Sequence, residues 1–245
     1  MNNLDFLKKR TAIITGASGG IGTSLCRKLA GYGMNLVLVG RNEEALRKTA
    51  STLPENGGEI CILPGDLKCD EFLFALPKKA ADRFGGLDVL INNAGLAQHC
   101  PAEEVTPQLF ADIMKTNVRA PYFLSQQAIP FLKKSGMGTI INICSVVAHK
   151  GYPMQSVYAA SKHALLGFSK SMANELYGEN VRVHVISPGA VLTEMAALAR
   201  PDLSPEGMIL PSDVAEAAGF YLEHRMSGAV VDEIAIHRVT KEPFA

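Results

Sequence analysis

The chain contains 245 residues, of which 47% are hydrophobic, and its 24 basic and 24 acidic side chains give a formal net charge of zero. This length and hydrophobic content are sufficient for one large core, so we expect a single domain over residues 1–245. The balanced charge and the lack of long Lys or Arg runs argue against binding to nucleic acid or to an anionic membrane. We therefore expect small molecules and further copies of the chain as partners.

The sequence lacks the signatures of membrane, secreted and metal-binding proteins. No apolar run reaches the length of a membrane-spanning helix, and the first ten residues lack the continuous hydrophobic segment of a signal peptide. The five cysteines and six histidines show neither a C-x-x-C pair nor a metal-ligand spacing, so we expect reduced thiols and no metal site. A cytoplasmic location is the default expectation.

Seven short β-rich segments alternate with longer segments of helical pattern along the chain. Strands separated by helices are typical of the α/β class and predict a doubly wound, parallel seven-stranded sheet. Ligands of such sheets bind beyond the carboxyl ends of the strands, near the point where the strand order reverses. The predicted strands cover residues 11–15, 35–39, 59–63, 89–92, 139–145, 182–187 and 230–236.

A glycine-rich turn follows the first predicted strand. Residues 15–22 read Thr-Gly-Ala-Ser-Gly-Gly-Ile-Gly and lead into a helical pattern. Glycines allow the backbone to approach a pyrophosphate, and the amino end of the following helix presents free N–H groups to it. An ordinary strand-to-helix turn is the alternative interpretation. The candidate phosphate-binding residues of this turn are Gly16, Ser18, Gly20, Ile21 and Gly22.

The second predicted strand ends in Val39-Gly40-Arg41-Asn42. An acidic residue usually holds the ribose 2′-hydroxyl of a dinucleotide at this place, whereas an arginine accommodates a 2′-phosphate. No acidic residue is present here, and Arg41 can bind a phosphate through two hydrogen bonds. The sequence therefore favours NADP, with NAD as the alternative if Arg41 is only a solvated loop residue.

Ser145, Tyr158 and Lys162 form a candidate proton-transfer group. A tyrosine and a lysine four residues apart share one face of a helix, so the ammonium can lie beneath the phenol. A nearby cation favours the ionised phenol, whose ordinary pKa near ~10 is too high for easy proton exchange at neutral pH. We therefore expect Lys162 to lower the pKa of Tyr158. Taken alone, the three residues also fit a solvated helix pair and a strand-end hydroxyl.

Six motifs occur in one order along the chain: residues 15–22, Gly65-Asp66-Leu67, Asn92-Asn93-Ala94-Gly95, Asn117, Ser145 with Tyr158-Ala-Ala-Ser-Lys162, and Pro188-Gly189-Ala190-Val191-Leu192-Thr193. Their order resembles that of the short-chain dehydrogenase/reductase family over residues 10–236. The resemblance implies a single Rossmann-type domain that reduces carbonyls or oxidises alcohols with a nicotinamide cofactor. It also implies that Ser145 binds the developing oxyanion, Tyr158 transfers the proton and Lys162 contacts the nicotinamide ribose.

The same resemblance assigns roles to the remaining motifs. Asp66 accepts a hydrogen bond from adenine with Leu67 packed beside it, and Asn117 disturbs its helix and holds a water linked to the catalytic lysine. Asn93 and Gly95 support the fourth strand and the approach of the cofactor ribose. The cofactor contacts after the sixth strand are Pro188, Gly189, Val191 and Thr193.

The substrate is less well specified than the cofactor. We expect a small or medium carbonyl (3-oxoacyl, 3-oxo acid or ketone), or the corresponding alcohol in the reverse reaction, beneath a covering segment at about residues 192–210. Residues 227–236 resemble a subgroup that acts on short 3-hydroxy or 3-oxo acids. The alternatives are an NAD-dependent alcohol or sugar dehydrogenase and, from another class, a dinucleotide-binding sensor without turnover.

Two predicted helices, residues 109–132 and 157–176, carry small or apolar residues on more than one face. A sheet covers only one face of a helix, and in the resembling family these helices pack against symmetry mates. We therefore expect a homotetramer or homodimer, with a thick monomer core as the alternative. The residues concerned are Ala120, Phe123, Ala128, Phe131, Ala160, Ala164, Leu165, Gly167 and Phe168.

Overall fold

The computed structural model describes residues 4–55, 57–200 and 202–241. Pro201, in the predicted covering segment, and both ends of the predicted domain lie outside the described residues. The strands form one parallel sheet in the order β3-β2-β1-β4-β5-β6-β7. They are β1 (Thr11–Thr15), β2 (Asn35–Gly40), β3 (Ile60–Pro64), β4 (Val89–Asn92), β5 (Thr139–Ile143), β6 (Arg182–Pro188) and β7 (Glu233–Ile236).

Helices connect the strands and confirm the predicted α/β class with its doubly wound parallel sheet. They are α1 (Gly20–Gly31), α2 (Glu43–Ser51), α3 (Asp70–Phe84), α4 (Pro107–Met114), α5 (Ala120–Leu132), α6 (Ser156–Leu176), α7 (Glu194–Ala199) and α8 (Pro211–Glu223). In the described part of the chain, no helix is both long and apolar enough to cross a membrane. No group of His, Cys, Asp or Glu side chains there is arranged to hold a metal ion.

The core lies on both faces of the sheet. Successive strand residues point to opposite faces, so Ile14 packs with α1 and α8 whereas Ile13 packs with α3, α5 and α6. Leu36 and Val37 of β2 divide between the two faces in the same way. Because both faces are covered, β1 and β2 are continuous apolar runs without polar alternation.

Two strands are two or three residues shorter than predicted, whereas the bounds of β2, β3 and β6 differ from the prediction by one residue. β5 ends at Ile143 because Ser145 begins a tight turn, in which its Oγ accepts a hydrogen bond from the backbone N–H of Val147 at 3.3 Å. β7 begins at Glu233, where pairing with β6 begins. The backbone of Val231 is held by a side chain, because His184 Nδ1 donates to its carbonyl at 2.8 Å.

The predicted helix over residues 109–132 is interrupted. A π-helical turn, Lys115–Arg119, separates α4 from α5 and places Asn117 in the core. A π turn contains one more residue than an α turn, so it changes the direction in which later side chains point. The expectation that Asn117 disturbs its helix is met.

Some of the small and apolar residues named on the two predicted helices belong to the monomer core. Ala120 and Ala128 of α5 pack in the core beneath the sheet, and Leu165 of α6 packs against Cys144 and Val185. These three residues lie on the helix faces that are turned to the core, so the predicted contact with a partner concerns the other faces of the two helices. Ala160 and Gly167 are exposed, and Phe123, Phe131, Ala164 and Phe168 are half-buried.

Candidate active site

The glycine-rich turn leaves β1 with Gly16 in the left-handed region, at φ 64°. A Cβ on Gly22 would lie 2.0 Å from the carbonyl oxygen of Gly16, so the first turn of α1 packs directly on the loop. The cap residue of α1, Gly19, offers no side-chain hydrogen bond, whereas Asn42 and Thr106 cap α2 and α4 with their side chains. The backbone N–H groups at the amino end of α1 are thus not capped by a side chain and can bind an anionic ligand.

Thr15 and Asn93 tie this turn to the end of β4. The backbone N–H groups of Asn93 and Ala94 each donate to Thr15 Oγ1 at 3.0 Å. Asn93 Nδ2 donates to the carbonyl oxygens of Thr15 at 2.9 Å and of Gly16 at 3.1 Å. The side chain of Asn93 therefore fixes the loop rather than pointing outward, and Thr15 is a positioning residue that the sequence analysis did not single out.

Arg41 follows β2 at the other end of the site. Its side chain is exposed, and Ser18 Oγ lies 3.6 Å from the place that a Cβ on Gly40 would occupy. Lys68 lines the same corner of the cavity and forms an ion pair with Asp112 at 2.8 Å. Among the described residues of this corner, Arg41 forms no ion pair. The corner can accept a phosphate between a hydroxyl and a guanidinium.

Lys162 is buried and hydrogen-bonded. Its side chain enters the protein between α6 and β5, where Nζ donates to the carbonyl oxygen of Ile143 at 2.8 Å. Nζ lies 5.8 Å from the ring centroid of Tyr158, one turn earlier on α6. The predicted placement of the ammonium beside the phenol is met, and Ile143 is a partner that the sequence did not reveal.

The predicted effect on the phenol was wrong in direction. Burial raises the pKa of Tyr158 to about 12, and a hydrogen bond with Ser145 only partly opposes that rise. Burial also lowers the pKa of Lys162, because its ammonium is taken out of water. The lysine donates to Ile143 and faces the ring of Tyr158, so the dominant influence on the phenol is desolvation.

Asn117 is engaged by backbone and side-chain groups around it. Its Oδ1 accepts the N–H of Leu96 at 2.8 Å, and its Nδ2 donates to the carbonyl of Leu96 at 2.8 Å and to Ser161 Oγ at 3.0 Å. Ser161 Oγ in turn donates to the carbonyl of Tyr158 at 2.7 Å. Both N–H groups of the amide are used, so the side chain acts as a brace between the π turn, the loop after β4 and α6.

Gln98 caps the helix that carries the tyrosine. The cap residue of α6, Gln155, makes no side-chain hydrogen bond to the helix. Instead, Gln98 Oε1 accepts the N–H of Val157 at 2.9 Å and of Tyr158 at 3.3 Å, and the glutamine is 2% exposed. Sequence reasoning missed this residue because glutamine is not a preferred cap and lies far away along the chain.

One cavity of about 1300 Å³ joins these features. Of the predicted site residues, only Asn117 does not line it. Thr193 contacts the start of α1, because its Cγ2 lies 2.8 Å from the place of a Cβ on Gly20. The predicted residues that line the cavity are Gly16, Ser18, Gly20, Ile21, Gly22, Arg41, Asp66, Leu67, Asn93, Gly95, Ser145, Tyr158, Lys162, Pro188, Gly189, Val191 and Thr193.

Comparison with known proteins identifies this arrangement. The family model for short chain dehydrogenases matches residues 10–204. The chain belongs to the short-chain dehydrogenase/reductase family. It is therefore an oxidoreductase that acts on CH–OH or C=O groups with a nicotinamide cofactor, NAD or NADP.

Three similar proteins illustrate the range of the family. An uncharacterized oxidoreductase of Escherichia coli K12, YciK, is 37% identical over 214 residues, covering 86% of this chain and 84% of that protein. The 3-oxoacyl-[acyl-carrier-protein] reductase FabG of Rickettsia felis is 32% identical, covering 90% and 92%. A solved actinorhodin polyketide ketoreductase with NADPH superimposes with a TM-score of 0.85 at 31% identity, covering 97% of each chain.

We predict that Gln98→Leu weakens both the fold and the reaction. Removing the acceptor leaves two N–H groups at the start of α6 unpaired, which should lower the free energy of unfolding by about 1–3 kcal/mol. It should also reduce kcat, because Tyr158 is one of the two residues capped. Denaturant unfolding and steady-state kinetics check this, with Gln126→Leu on the exposed face of α5 as the matched control. Equal behaviour of the two variants would contradict the capping role.

Proposed function

We propose that this oxidoreductase uses NADPH to reduce a small or medium carbonyl compound, such as a 3-oxoacyl compound, a 3-oxo acid or a ketone, and that it also catalyses the reverse reaction. One observation carries the proposal. The hydroxyls of Ser145 and Tyr158 adjoin each other in the cavity that also contains the glycine-rich turn and Arg41. Two neighbouring hydroxyls can bind one carbonyl oxygen from two sides.

The roles of the side chains follow from their environments. Ser145 would donate to the carbonyl oxygen and stabilise the negative charge that develops on it. Tyr158, whose pKa burial raises to about 12, stays protonated at neutral pH and can give its proton to the same oxygen. Lys162 is anchored to Ile143 and keeps further N–H groups for a ribose hydroxyl beside the phenol. A bound nicotinamide supplies the hydride.

The residues present fit a phosphorylated dinucleotide. The uncapped amino end of α1 supplies backbone donors for a pyrophosphate, and Arg41 with Ser18 supplies a guanidinium and a hydroxyl for a 2′-phosphate. The ketoreductase noted above contains NADPH, which supports the same preference. Asp66 and Leu67, on the same cavity wall, would hold the adenine, and the segment Pro188, Gly189, Val191 and Thr193 the nicotinamide.

The central test is Tyr158→Phe. The change removes the proton donor with little change in volume, so kcat for carbonyl reduction should fall by roughly 10²–10⁴-fold. The dissociation constant of NADPH should stay within about twofold, which fluorescence titration measures in the same preparation. Tyr177→Phe, at an exposed position outside the cavity, is the matched control. Substantial reductase activity in Tyr158→Phe would overturn the assignment.

Arg41→Ala tests the choice of cofactor. Loss of a charge-assisted phosphate contact should weaken NADPH binding by about 1–3 kcal/mol and leave NADH binding nearly unchanged. Arg47→Ala, on the exposed surface of the adjoining α2 where it pairs with Glu43, should affect neither cofactor. Titration of both cofactors into each variant gives the answer. Equal losses for NADPH and NADH in Arg41→Ala would favour the NAD-dependent alternative.

We also propose that α5 and α6 bind a second copy of the chain, as a homodimer or homotetramer. Small residues, Ala160 and Gly167, are exposed on α6, and Tyr122 of α5 is 39% exposed although it stacks edge-on with Phe168 at 5.5 Å. Small residues beside aromatic rings allow two helices to approach closely across a two-fold axis. Association would also hold α6, which carries Tyr158 and Lys162.

Gly167→Arg should break this association. A Cβ on Gly167 meets no atom within 4 Å, so the arginine can be accommodated in the monomer but not in a close helix pair. Light scattering should show a smaller particle than the wild type at micromolar concentration, with reduced activity. Gly178→Arg, where a Cβ likewise meets nothing, is the matched control. A wild-type protein that is monomeric and fully active would refute the proposal.

A further inference from the structure

Basic side chains gather where the chain leaves β7. His237 and Arg238 follow this strand directly, Lys241 lies three residues further, and all three line the cavity. β7 is only two strands from β5, after which Ser145 lies, which is about 10 Å at the usual strand spacing. Arg41 follows β2, and β2 is five strands away from β7, about 24 Å at the usual strand spacing. These residues therefore belong to the catalytic end of the cavity and not to the adenosine end.

A tyrosine holds Lys241 at the wall of the cavity. Lys241 Nζ donates to the hydroxyl of Tyr152 at 3.0 Å and lies 5.5 Å from the ring centroid. Tyr152 lines the same cavity. An ammonium has three N–H groups and the phenol accepts one of them, so two remain for a group inside the cavity.

The acidic residues nearby do not neutralise this charge. Asp202 binds Arg200 through two hydrogen bonds of 2.7 and 2.6 Å, which hold the pKa of Asp202 at about 2 and make this a neutral pair. Glu194 begins α7, next to the contact with the glycine-rich turn. Over residues 4–55, 57–200 and 202–241, no carboxylate forms an ion pair with Arg238 or Lys241. Glu194 also lines the cavity, and within the described residues Arg238 and Lys241 form no ion pair and can bind an anionic group there.

Building on the carbonyl reduction proposed above, we propose that the substrate carries an anionic group, a carboxylate or a phosphate, which Arg238 and Lys241 bind while Ser145 and Tyr158 hold its carbonyl oxygen. The guanidinium of Arg238 can form two parallel hydrogen bonds to such a group, and Lys241 can add a charge-assisted donor. Both side chains are half-buried, so an anion at this place is screened less by solvent than on an open surface. The distance between the two binding points then selects substrates by length.

Matched acids and esters provide the test. Acetoacetate and levulinate are compared with their methyl esters, which keep the carbonyl and remove the charge, at saturating NADPH. Acetoacetyl-CoA is compared with the uncharged N-acetylcysteamine thioester, which distinguishes a phosphate source from a carboxylate source. We expect kcat/KM for at least one anionic compound to exceed that of its neutral partner by tenfold or more. Equal kcat/KM within every pair would overturn the proposal.

Variants assign the preference to its residues. The pair Arg238→Gln with Lys241→Gln should abolish the discrimination between acid and ester and leave kcat/KM for the neutral ester and the KM for NADPH unchanged. The pair Arg27→Gln with Lys134→Gln removes the same charge from exposed positions outside the cavity and should leave the discrimination intact. A preference for the acid that survives in the first pair would overturn the assignment.

Binding separates this proposal from the reaction itself. Calorimetric titration of acetoacetate, levulinate and acetoacetyl-CoA, and of their neutral partners, into the NADP-loaded protein measures the anion site without turnover. Binding of the acid that depends on Arg238 and Lys241 supports the anion site, even if no compound of the set is reduced and the proposed reaction fails. If the compounds are reduced but neither acetoacetate, levulinate nor acetoacetyl-CoA binds better than its neutral partner, the anion site is refuted and the proposed reaction stands.

Discussion

The buried ammonium of Lys162 is the constraint on which the rest of the site depends. A cation taken out of water is tolerated only where hydrogen bonds replace its hydration, and Lys162, 5% exposed, finds its acceptor in the carbonyl of Ile143. Ile143 is the last residue of β5, and Ser145 follows two residues later. This hydrogen bond ties α6 to the end of β5. Tyr158, one turn earlier on α6, lies beside Ser145, whose Oγ donates to the carbonyl of Pro188 at 3.3 Å and accepts the N–H of Val147 at 3.3 Å.

A second set of hydrogen bonds fixes α6 from the other side. Asn117 joins the π turn to Leu96 and Ser161, and Ser161 reaches the carbonyl of Tyr158. The π turn has one extra residue, which changes the direction in which the side chains after it point. With this extra residue, Asn117 faces the network and the apolar face of α5 still packs on the sheet. Fully paired buried networks of this kind stiffen a core. The catalytic helix is thereby held at its cap, at its middle and at its lysine.

The parts of this structure that could be predicted are those encoded by residues close in sequence. The glycine-rich turn and the pairing of Tyr158 with Lys162 depend on spacings of a few residues, and the doubly wound parallel sheet follows from the alternation of strands and helices. The cap by Gln98 joins residues 59 positions apart, and nothing in a glutamine marks it as a cap. The pKa of Tyr158 was predicted in the wrong direction because helical spacing gives the neighbour of a group but not its depth below the surface.

Burial determines which protonation states of Tyr158 and Lys162 are favoured. Burial favours the neutral forms of both partners, since it raises the pKa of the Tyr158 phenol and lowers that of the Lys162 ammonium. A phenol kept neutral is the form that can donate a proton, which is the role proposed for Tyr158. In the proposed reaction, the oxyanion that develops on the substrate would lie between the two hydroxyls of Ser145 and Tyr158. Arg238 and Lys241 lie beyond β7 in the same cavity, so in the proposed reaction anion binding and proton transfer would use separate residues.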